Sequence, residues 1–477
     1  MSMTKREKLE TLNIHELRDV AREIGVHAPT KLKQAELIQS ALDVLENRTP
    51  PSKPSKRGKP AKTNVNINEL LQWIFDAQPK GLSQEPPRIE EEEKPEPVQK
   101  ETVFDDKNAT GILEVMPDGY GFLRMENFSN TLADIYVPPQ QIKRLSLRTG
   151  DKIYCKSRLF KDKRCYSLIY VYTVNDVPCS ELKHGAKFED LISCYPNERI
   201  KLEREKTDYS LRLIDLVAPI GKGQRGLIVS PPKTGKTTLL KKIAQAVRTN
   251  YPDIYLNVLL VDERPEEVTD FRQSVDCDVW YSTFDQGPEH HIKIAEMVIT
   301  NAKRRVEQGQ DVMILMDSIT RLGRAYNQTA EQSGRTLSGG LDISALQEPK
   351  RFFGAGRNVE GKGSLTILAT ALIDTNSKMD DIIYEEFKGT GNMEIHLDRR
   401  MSERRIFPAI DLNRSGTRRE DLLLTQKQLE AMWMIRRALS RTDTSAATEQ
   451  LIDLLMTTNN NDEFIDLMKV IAKKQKS

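Results

Sequence analysis

A short loop in the middle of the chain carries the residue types that bind phosphate groups. The loop spans Ser230–Thr237, follows the apolar run Gly226–Val229 and precedes a helical pattern. In a strand–loop–helix of this kind, backbone N–H groups and the positive end of the helix surround the phosphates of a nucleotide. Lys236 would then contact the β- and γ-phosphates, and the Thr237 hydroxyl would ligate Mg²⁺. Ser230 stands where the first glycine of the usual motif is expected, and it is small enough for the turn.

Two carboxylates follow apolar runs and could complete a hydrolytic site. Asp317 ends the run Val312–Met316, as expected for the carboxylate that orients a nucleotide-bound metal ion. Glu263 comes just past another run, at the strand end where ligands bind in open α/β sheets, and could polarise the attacking water. The alternatives are that Asp317 belongs to a helix cap with Ser318, and that Glu263 forms a surface ion pair with Arg264.

Three further cations lie in segments that follow or connect predicted elements. Arg418 comes after the last core strand and could act on the nucleotide of a neighbouring subunit, or it could simply be solvated. Two segments rich in glycine, serine or other small polar residues each carry one cation: Arg335 within 333–340 and Lys378 within 374–378. We interpret them as mobile loops on the nucleotide-binding domain, with plain connecting loops as the alternative.

A strand pattern near residue 120 places aromatic and basic side chains on one face. Tyr120, Phe122 and Arg124 alternate with Gly121 and Leu123, so they share one side of a strand. Exposed aromatic rings on a barrel strand stack on unpaired bases, and a neighbouring arginine contacts phosphate or a base edge. Tyr136 could extend this surface. The alternative, that the rings form the core, would leave glycines to build the opposite face.

Hydrophobic periodicity and turn residues divide the chain into four regions. The first is a helical module in which Gly25 separates two helices, and the second lacks the apolar residues needed to fold. Five short strand patterns in the third predict an OB-type β-barrel. Strands alternating with helices in the fourth predict an α/β domain with a mostly parallel, doubly wound sheet, followed by two or three C-terminal helices. The regions span residues 1–48, 49–102, 103–178 and 179–477.

The individual elements are predicted as follows. The barrel strands are 111–115, 119–124, 134–137, 151–155 and 167–171. The strands of the α/β sheet are 226–229, 254–261, 278–281, 311–316 and 365–372. The C-terminal helices lie within 424–475, with breaks at 442–445 and 459–462.

The second region pairs a basic, proline-rich run at 49–60 with an acidic, proline-rich run at 90–97. We expect it to be disordered, apart from an apolar island at 70–75 that could dock as one helix or remain unanchored. Its basic half could add non-specific RNA affinity through phosphate contacts, or the segment could serve only as a tether.

Composition limits the class of protein without identifying it. The chain has 72 basic and 70 acidic residues, so net charge does not select a partner. Its apolar runs are too short to cross a bilayer and its first residues lack the pattern of a signal peptide, so we expect a cytoplasmic protein. Its five cysteines lack the paired C-x-x-C spacing of a zinc site, so we interpret them as free thiols.

The longer runs of sequence resemble the bacterial Rho family of transcription termination factors. The resemblance covers residues 1–48 and 103 to about 470, and leaves 49–102 as an insertion. The runs that carry it are Gly119–Arg124, Pro231–Thr237, Val261–Val268, Met316–Arg321, Tyr384–Asn392 and Phe407–Asp411.

This resemblance implies a ring-shaped homohexamer that uses ATP and Mg²⁺ to move along pyrimidine-rich, and especially C-rich, single-stranded RNA. It implies a cold-shock-type barrel before a RecA-like ATPase core, and it allows the RNA polymerase elongation complex and Nus-type factors as further partners. Catalysis would fall to Glu263, Lys236 and the arginine finger Arg418, with Thr237 and Asp317 on Mg²⁺. The implied ATP-binding residues are Lys233, Thr234, Gly235, Lys236, Thr237, Thr238, Arg264, Asp317 and the adenine-stacking Phe407. The implied RNA-binding residues are Tyr120, Phe122, Arg124, Asp134 and Tyr136 on the barrel, with Arg335 and Lys378 in two pore loops.

The sequence departs from the family at two of these places. Arg335 replaces a frequent lysine and keeps its charge, whereas Cys165 replaces an aromatic residue of the primary base pocket and has Tyr166 beside it. Two other classes of protein share part of the pattern. A rotary ATP synthase subunit would not need an aromatic-faced barrel, and a non-enzymatic RNA-binding protein would not need Glu263 and Asp317 beside an intact phosphate loop.

Overall fold

The computed structural model describes residues 9–45, except 10–11, 13, 27–28 and 30–31, and residues 106–474. In the longer stretch the exceptions are 126, 128–132, 161–164, 183–184, 331–335, 338, 343 and 440–443. The chain divides into two compact units, residues 1–100 and 101–477. The predictions made for 49–102 and for Arg335 lie outside the described residues.

The first unit contains two helices, α1 (Ile14–Glu23) and α2 (Gln34–Leu45). Their apolar faces meet in a small core that includes Leu17, Val20, Leu37 and Ala41. Gly25 has a φ of +87°, a left-handed conformation that favours glycine and ends a helix. The predicted helical pair and its separator are therefore confirmed.

The second unit begins with a six-stranded barrel. Its strands are β1 (Asp106–Val115), β2 (Gly121–Arg124), β3 (Ile135–Val137), β4 (Lys152–Phe160), β5 (Cys165–Val174) and β6 (Val177–Pro178), with helix α3 (Pro139–Arg144) after β3. The sheet order is β3-β2-β1-β4-β5-β6, and a parallel pairing of β3 with β5 closes it. Alternate side chains such as Leu113, Ile153 and Val171 fill the interior. The five predicted strands are all present, and β1, β4 and β5 extend beyond their predicted limits.

A nine-stranded sheet forms the centre of the α/β region. Its main strands are β10 (Arg225–Ser230), β11 (Tyr255–Glu263), β12 (Asp278–Thr283), β13 (Val312–Asp317), β17 (Ser364–Leu372), β18 (Met393–Leu397) and β19 (Ile410–Thr417). They lie in the order β12-β11-β13-β17-β10-β18-β19, with β19 antiparallel to β18 and the others parallel. The predicted doubly wound parallel sheet is confirmed. The short strands β7 (Ser193–Cys194) and β16 (Arg357–Val359) extend the sheet through β17.

Helices cover both faces of this sheet. One face packs against α4 (Tyr209–Val217), α5 (Lys236–Asn250), α6 (Pro265–Ser274) and the C-terminal helices α12 (Gln426–Leu439), α13 (Thr444–Met456) and α14 (Asn461–Lys474). The other packs against α7 (Pro288–Glu307), α8 (Ile319–Thr329), α9 (Gln347–Gly354) and α10 (Lys378–Lys388). The remaining elements are α11 (Arg399–Glu403) and two small ribbons, β8 (Arg199–Ile200) with β9 (Ile220–Gly221) and β14 (Thr336–Leu337) with β15 (Leu341–Asp342). Three C-terminal helices agree with the sequence prediction.

The barrel is joined to the α/β region by polar contacts along α7 and β12. The Asn301 amide donates to the carbonyl oxygen of Gly150 at 2.8 Å, and Lys152 forms a 2.8 Å ion pair with Asp278. A Cβ atom added to Gly150 would lie 2.9 Å from the backbone nitrogen of Asn301, so only glycine fits this close approach. These contacts hold the barrel in a defined position on the α/β region.

Within the described residues, no helix is both long and apolar enough to cross a membrane. All five cysteines are free thiols, as expected.

Candidate nucleotide site and RNA-binding face

The phosphate loop runs from β10 to the first residue of α5. Gly235 precedes the helix with a φ of +88°, and Lys233 also has a positive φ of +67°. The buried Ser230 hydroxyl lies 2.6 Å from the Thr234 hydroxyl, which in turn donates to the carbonyl oxygen of Pro231 at 3.0 Å. The serine that replaces the usual glycine thus helps to hold the loop in its turn.

Lys236, the first residue of α5, meets Asp317, the last residue of β13. The Lys236 Nζ lies 2.7 and 2.6 Å from the two carboxylate oxygens of Asp317, which is only 1% exposed. Thr370, on the neighbouring strand β17, donates its hydroxyl to the same carboxylate at 2.7 Å. Ser318, and not Asp317, caps α8 by accepting from the Arg321 backbone N–H. The capping alternative for Asp317 is therefore wrong.

Glu263 is the last residue of β11 and is 3% exposed, which excludes the surface ion pair considered for it. Its Oε2 atom is buried and accepts no hydrogen bond from the described residues. The nearest cations are Arg321 at 3.5 Å and Lys236 at 3.9 Å. Burial raises the pKa of the Glu263 carboxyl, and Arg321 opposes part of that increase. An oxygen of this kind, buried and free to accept, suits a group that orients water.

Hard oxygen ligands for Mg²⁺ are present beside Lys236. The Thr237 hydroxyl lies 3.4 Å from a carboxylate oxygen of Glu267, which belongs to the first turn of α6. Mg²⁺ in nucleotide sites takes one or two protein oxygens and completes its shell with phosphates and water. Thr237 and Asp317 fit that requirement. The described residues hold no group of three or more His, Cys, Asp or Glu that could bind a metal ion by themselves.

A cavity of about 430 Å³ adjoins the phosphate loop. Its lining includes Lys233, Gly235 and Thr238 from the loop and Phe407 from the segment before β19. Phe407 is 49% exposed, so its ring can contact a ligand in the cavity. The Ser402 hydroxyl donates to the carbonyl oxygen of Lys233 at 3.0 Å and ties the two walls together. The structure thus brings the predicted base-stacking residue next to the predicted phosphate loop.

Arg418 lies at the opposite end of the sheet from the phosphate loop. It is exposed and lines a cavity of about 1050 Å³ together with Arg225, Arg357 and Arg419. Arg225 begins β10 and Ser230 ends it, so the two ends are about 17 Å apart at the usual strand rise. Arg418 is therefore too far from the phosphate loop of its own chain to contact the same nucleotide.

The predicted aromatic residues of the barrel come together on β2 and β3. The ring centroids of Tyr120 and Phe122, and those of Tyr120 and Tyr136, are 5.8 Å apart, and those of Phe122 and Tyr136 are 6.0 Å apart. All three side chains are half-buried, whereas the alternating Leu123 is fully buried in the barrel core. The rings therefore form an outer surface, which we call the aromatic face (Tyr120, Phe122 and Tyr136).

Arg124 lies behind this face and not on it. It is 8% exposed and forms 2.6 Å ion pairs with Glu114 and Asp134 from the flanking segments. Burial alone would lower the pKa of its guanidinium, but the hydrogen bonds to Asp134 and Glu114 outweigh it and raise the pKa. The guanidinium carbon of Arg124 is 5.2 Å from the centroid of the Phe122 ring. The expectation that Arg124 is an exposed cation is therefore wrong. Its guanidinium is buried because it pairs with Glu114 on β1 and Asp134 before β3.

Of the two loops predicted to contact RNA, the described residues Gly339 and Gly340 of the first lie beside Lys378 of the second and beside α8. Gly339, at a φ of +89°, approaches Lys378 so closely that an added Cβ would be 3.0 Å from the Met379 nitrogen. Asn327 on α8 donates to the Gly340 carbonyl at 3.2 Å and accepts from the Asp342 backbone N–H at 2.8 Å.

Arg324, one turn earlier on α8, makes two 2.7 Å hydrogen bonds to the buried Asp380, two residues after Lys378. Helix α8 starts just after Asp317, so one helix links the nucleotide site to both loops.

Sequence reasoning overlooked three residues of this site: Glu267, Arg321 and Arg324. The signal for Arg321 was present, because it lies in the first turn of the helix that follows Asp317, close to the end of that strand. The contacts of Glu267 and Arg324 join segments far apart in the chain, and no local pattern indicates them. Arg264 is exposed at the start of α6 and Lys378 is exposed at the start of α10.

Comparisons with known proteins agree with this geometry. Residues 210–417 match the family model of the ATP synthase alpha/beta family nucleotide-binding domain, and residues 109–180 match the Rho termination factor RNA-binding domain. A transcription termination factor Rho from Haemophilus influenzae is 55% identical over 365 residues, which are 75% of this chain and 87% of that protein. The corresponding factor from Allochromatium vinosum is 56% identical over the same shares.

Among solved structures, an ATPase from the type III secretion system of pathogenic bacteria superposes with a TM-score of 0.50 at 22% identity. The match covers 59% of this chain and 87% of that one. This likeness supports the fold of the ATPase domain alone.

Proposed function

This chain belongs to the family of Rho transcription termination factors and acts by binding RNA and terminating transcription, and from that premise we propose that it is an RNA-dependent ATPase. One observation carries the proposal: the Lys236–Asp317–Glu263 site and the aromatic face occur in one chain, and α8 joins the nucleotide site to two further loops. We infer that hydrolysis of ATP to ADP and phosphate drives movement along single-stranded RNA.

Each residue of the nucleotide site has a part in this mechanism. Lys236 binds the β- and γ-phosphates, while Phe407 stacks on the base in the adjoining cavity. Thr237 and Asp317 would hold Mg²⁺, which neutralises negative charge on the phosphates. Glu263 accepts a hydrogen bond from the attacking water through its buried oxygen and orients it toward the γ-phosphate.

Arg418 requires a second subunit. Because it lines a cavity with Arg225 at the start of β10, a strand about 17 Å long that ends at the phosphate loop, it would stabilise the charge of hydrolysis at a neighbour's nucleotide and not at its own. We therefore propose a ring of identical subunits, a homohexamer, in which each subunit completes the site of the next.

RNA would be held at two places in such a ring. The aromatic face stacks on the bases of pyrimidine-rich, and especially C-rich, RNA. Lys378, and Arg335 from the preceding loop, would contact the RNA backbone in the central channel. Through α8, Arg324 and Asn327 would pass a change in these loops to Asp317 and Arg321. The RNA polymerase elongation complex and Nus-type factors in the cytoplasm are the proposed partners in termination.

The test is the rate of ATP hydrolysis with and without C-rich RNA. An RNA-dependent motor hydrolyses ATP many times faster when RNA is present, and the Phe122→Ala variant needs more RNA for half-maximal stimulation. Equal rates with and without RNA would contradict the proposal and favour a rotary ATP synthase-type enzyme. RNA binding without any hydrolysis would instead indicate a non-enzymatic RNA-binding protein.

A further inference from the structure

A second group of aromatic side chains lies on the outside of the barrel, on strands that do not carry the aromatic face. It consists of Tyr154 on β4 with Tyr170 and Tyr172 on β5, and we call it the tyrosine patch. These side chains are 39%, 53% and 36% exposed. The ring centroids of Tyr154 and Tyr172 are 5.1 Å apart and those of Tyr170 and Tyr172 are 5.2 Å apart. Three large rings thus form one continuous exposed surface.

The patch does not serve the barrel core. Its residues are neighbours of Ile153, Cys155 and Val171, which point inward and are at most 2% exposed. The two aromatic groups lie on different strands, the aromatic face on β2 and β3 and the patch on β4 and β5. In the closed barrel β1 lies between β2 and β4, while β3 pairs with the start of β5, where Tyr136 lies opposite Ser167 and not opposite a tyrosine of the patch. Exposed tyrosines grouped in this way are typical of a surface that binds a partner.

The charge around the patch favours a polyanion. The hairpin that carries the three tyrosines, residues 152–174, contains six lysines and arginines and one aspartate, a net charge of +5. Three of these cations are paired within the protein, Lys152 with Asp278 and both Lys156 and Arg158 with Asp106. The other three, in 161–164, lie outside the described residues.

The adjoining helix α3 adds the exposed Lys143 and Arg144. This helix is tied to β5 by a 3.3 Å hydrogen bond from the Gln141 amide to the Ile169 carbonyl oxygen.

We propose that the tyrosine patch is a second binding site for single-stranded RNA, in addition to the aromatic face. Its rings would stack on bases of any identity, and the surrounding cations would contact phosphates. RNA is favoured over a protein partner because the adjoining helix α3 presents the exposed Lys143 and Arg144 and because the hairpin belongs to the RNA-binding domain. An RNA held on the aromatic face would continue across β1 to the patch, so the patch would matter only for longer RNA. The inference rests on RNA binding by the barrel.

The test compares two lengths of oligocytidine at one salt concentration. An oligomer of about 4 nucleotides fits one stacking site, and one of about 16 nucleotides can span two. The full chain with Tyr154→Thr, Tyr170→Thr and Tyr172→Thr should bind the longer oligomer about tenfold more weakly and the shorter one unchanged. The matched Tyr→Phe triple variant keeps the rings and should bind both like the wild type. Phe122→Ala should weaken both lengths.

Two results with the threonine variant would overturn the proposal. Unchanged affinity of the threonine variant for the longer oligomer would overturn it. So would an equal loss for both lengths together with a lower melting temperature, since the patch would then be structural. If the triple variant does not fold, Tyr170→Thr alone, at the most exposed ring, replaces it. Unchanged RNA affinity with lost termination in the presence of RNA polymerase would show that the patch binds a protein. If instead Phe122→Ala leaves the affinity for both oligomers unchanged, the proposal that the aromatic face binds RNA is contradicted. That result is distinct from a negative result for the tyrosine patch.

Discussion

At the scale of single residues, the nucleotide site depends on the contrast between two carboxylates. Asp317 is held by Lys236 and Thr370, whereas Glu263 keeps a buried oxygen without a hydrogen bond from the described residues. The first arrangement suits charge neutralisation and metal binding, and the second suits contact with water. The roles of the two residues can therefore be separated by experiment.

Replacing Glu263 by glutamine should abolish ATP hydrolysis and leave ATP binding largely intact. The amide keeps the size of the side chain but is a poor acceptor for a proton, and the ion pair of Glu263 with Lys236 of the phosphate loop is long, at 3.9 Å. Hydrolysis rates and the dissociation constant of a fluorescent ATP analogue would be measured on one preparation. Lys236→Ala is the control, since it should lose both. An equal loss of ATP affinity in Glu263→Gln would assign Glu263 to binding.

The pH dependence of hydrolysis should also report Glu263. The carboxylate must be charged to accept from water, and burial raises its pKa above the ordinary value of 4.5. The rate should therefore be full above the raised pKa and fall as the pH drops through it. Because Arg321 lowers the pKa of Glu263, Arg321→Met should move the acidic limb of the rate profile to higher pH. An unmoved limb would show that another group controls it.

At the scale of elements, strand β2 carries both a residue of the aromatic face and a buried residue that stabilises the barrel. Phe122 and Arg124 are two residues apart on β2, yet the ring belongs to the aromatic face and the guanidinium lies buried between Glu114 and Asp134. Changes at the two positions should have opposite signatures.

We expect Phe122→Ala to weaken RNA binding by roughly 1–3 kcal/mol with little change in stability, because it removes one base stack. Arg124→Met should instead destabilise the barrel by about 3 kcal/mol, because it leaves two poorly solvated carboxylates without their cation. RNA titrations and thermal melting on both variants would check this. A stability loss in Phe122→Ala with normal RNA affinity would identify Phe122 as a core residue.

At the scale of the whole molecule, the proposed ring assigns Arg418 to the nucleotide of a neighbouring subunit. The assignment rests on the position of Arg418 at the opposite end of the sheet from its own phosphate loop. Arg418→Ala should therefore reduce hydrolysis by about 10³-fold or more while ATP binding persists.

Mixing experiments provide the sharper measurement. In rings assembled from Arg418→Ala and Glu263→Gln subunits, some sites combine a wild-type glutamate with a wild-type arginine, so activity should partly return. Absence of any recovery in mixed rings that are shown to form would contradict action between subunits.

The sequence by itself determined the elements and most of the local chemistry. The strand before the phosphate loop, the helix after it, the carboxylate at the end of β13 and the alternation of Phe122 with Leu123 all follow from periodicity over a few residues, which is a local property. Periodicity did not place Phe407 at the ATP site, since no local pattern joins it to the loop. Only the family resemblance implied that position.

Tertiary structure decided which side chains meet. Arg124 was expected at the surface, because period two describes one strand and cannot show that Glu114 and Asp134 flank it. The pairing of Arg324 with Asp380, the hydrogen bond of Asn327 to Gly340 and the position of Arg418 at the far end of β10 likewise join segments distant in the chain. Such contacts depend on the order of strands in the sheet and on packing between helices, and those are properties of the folded chain as a whole.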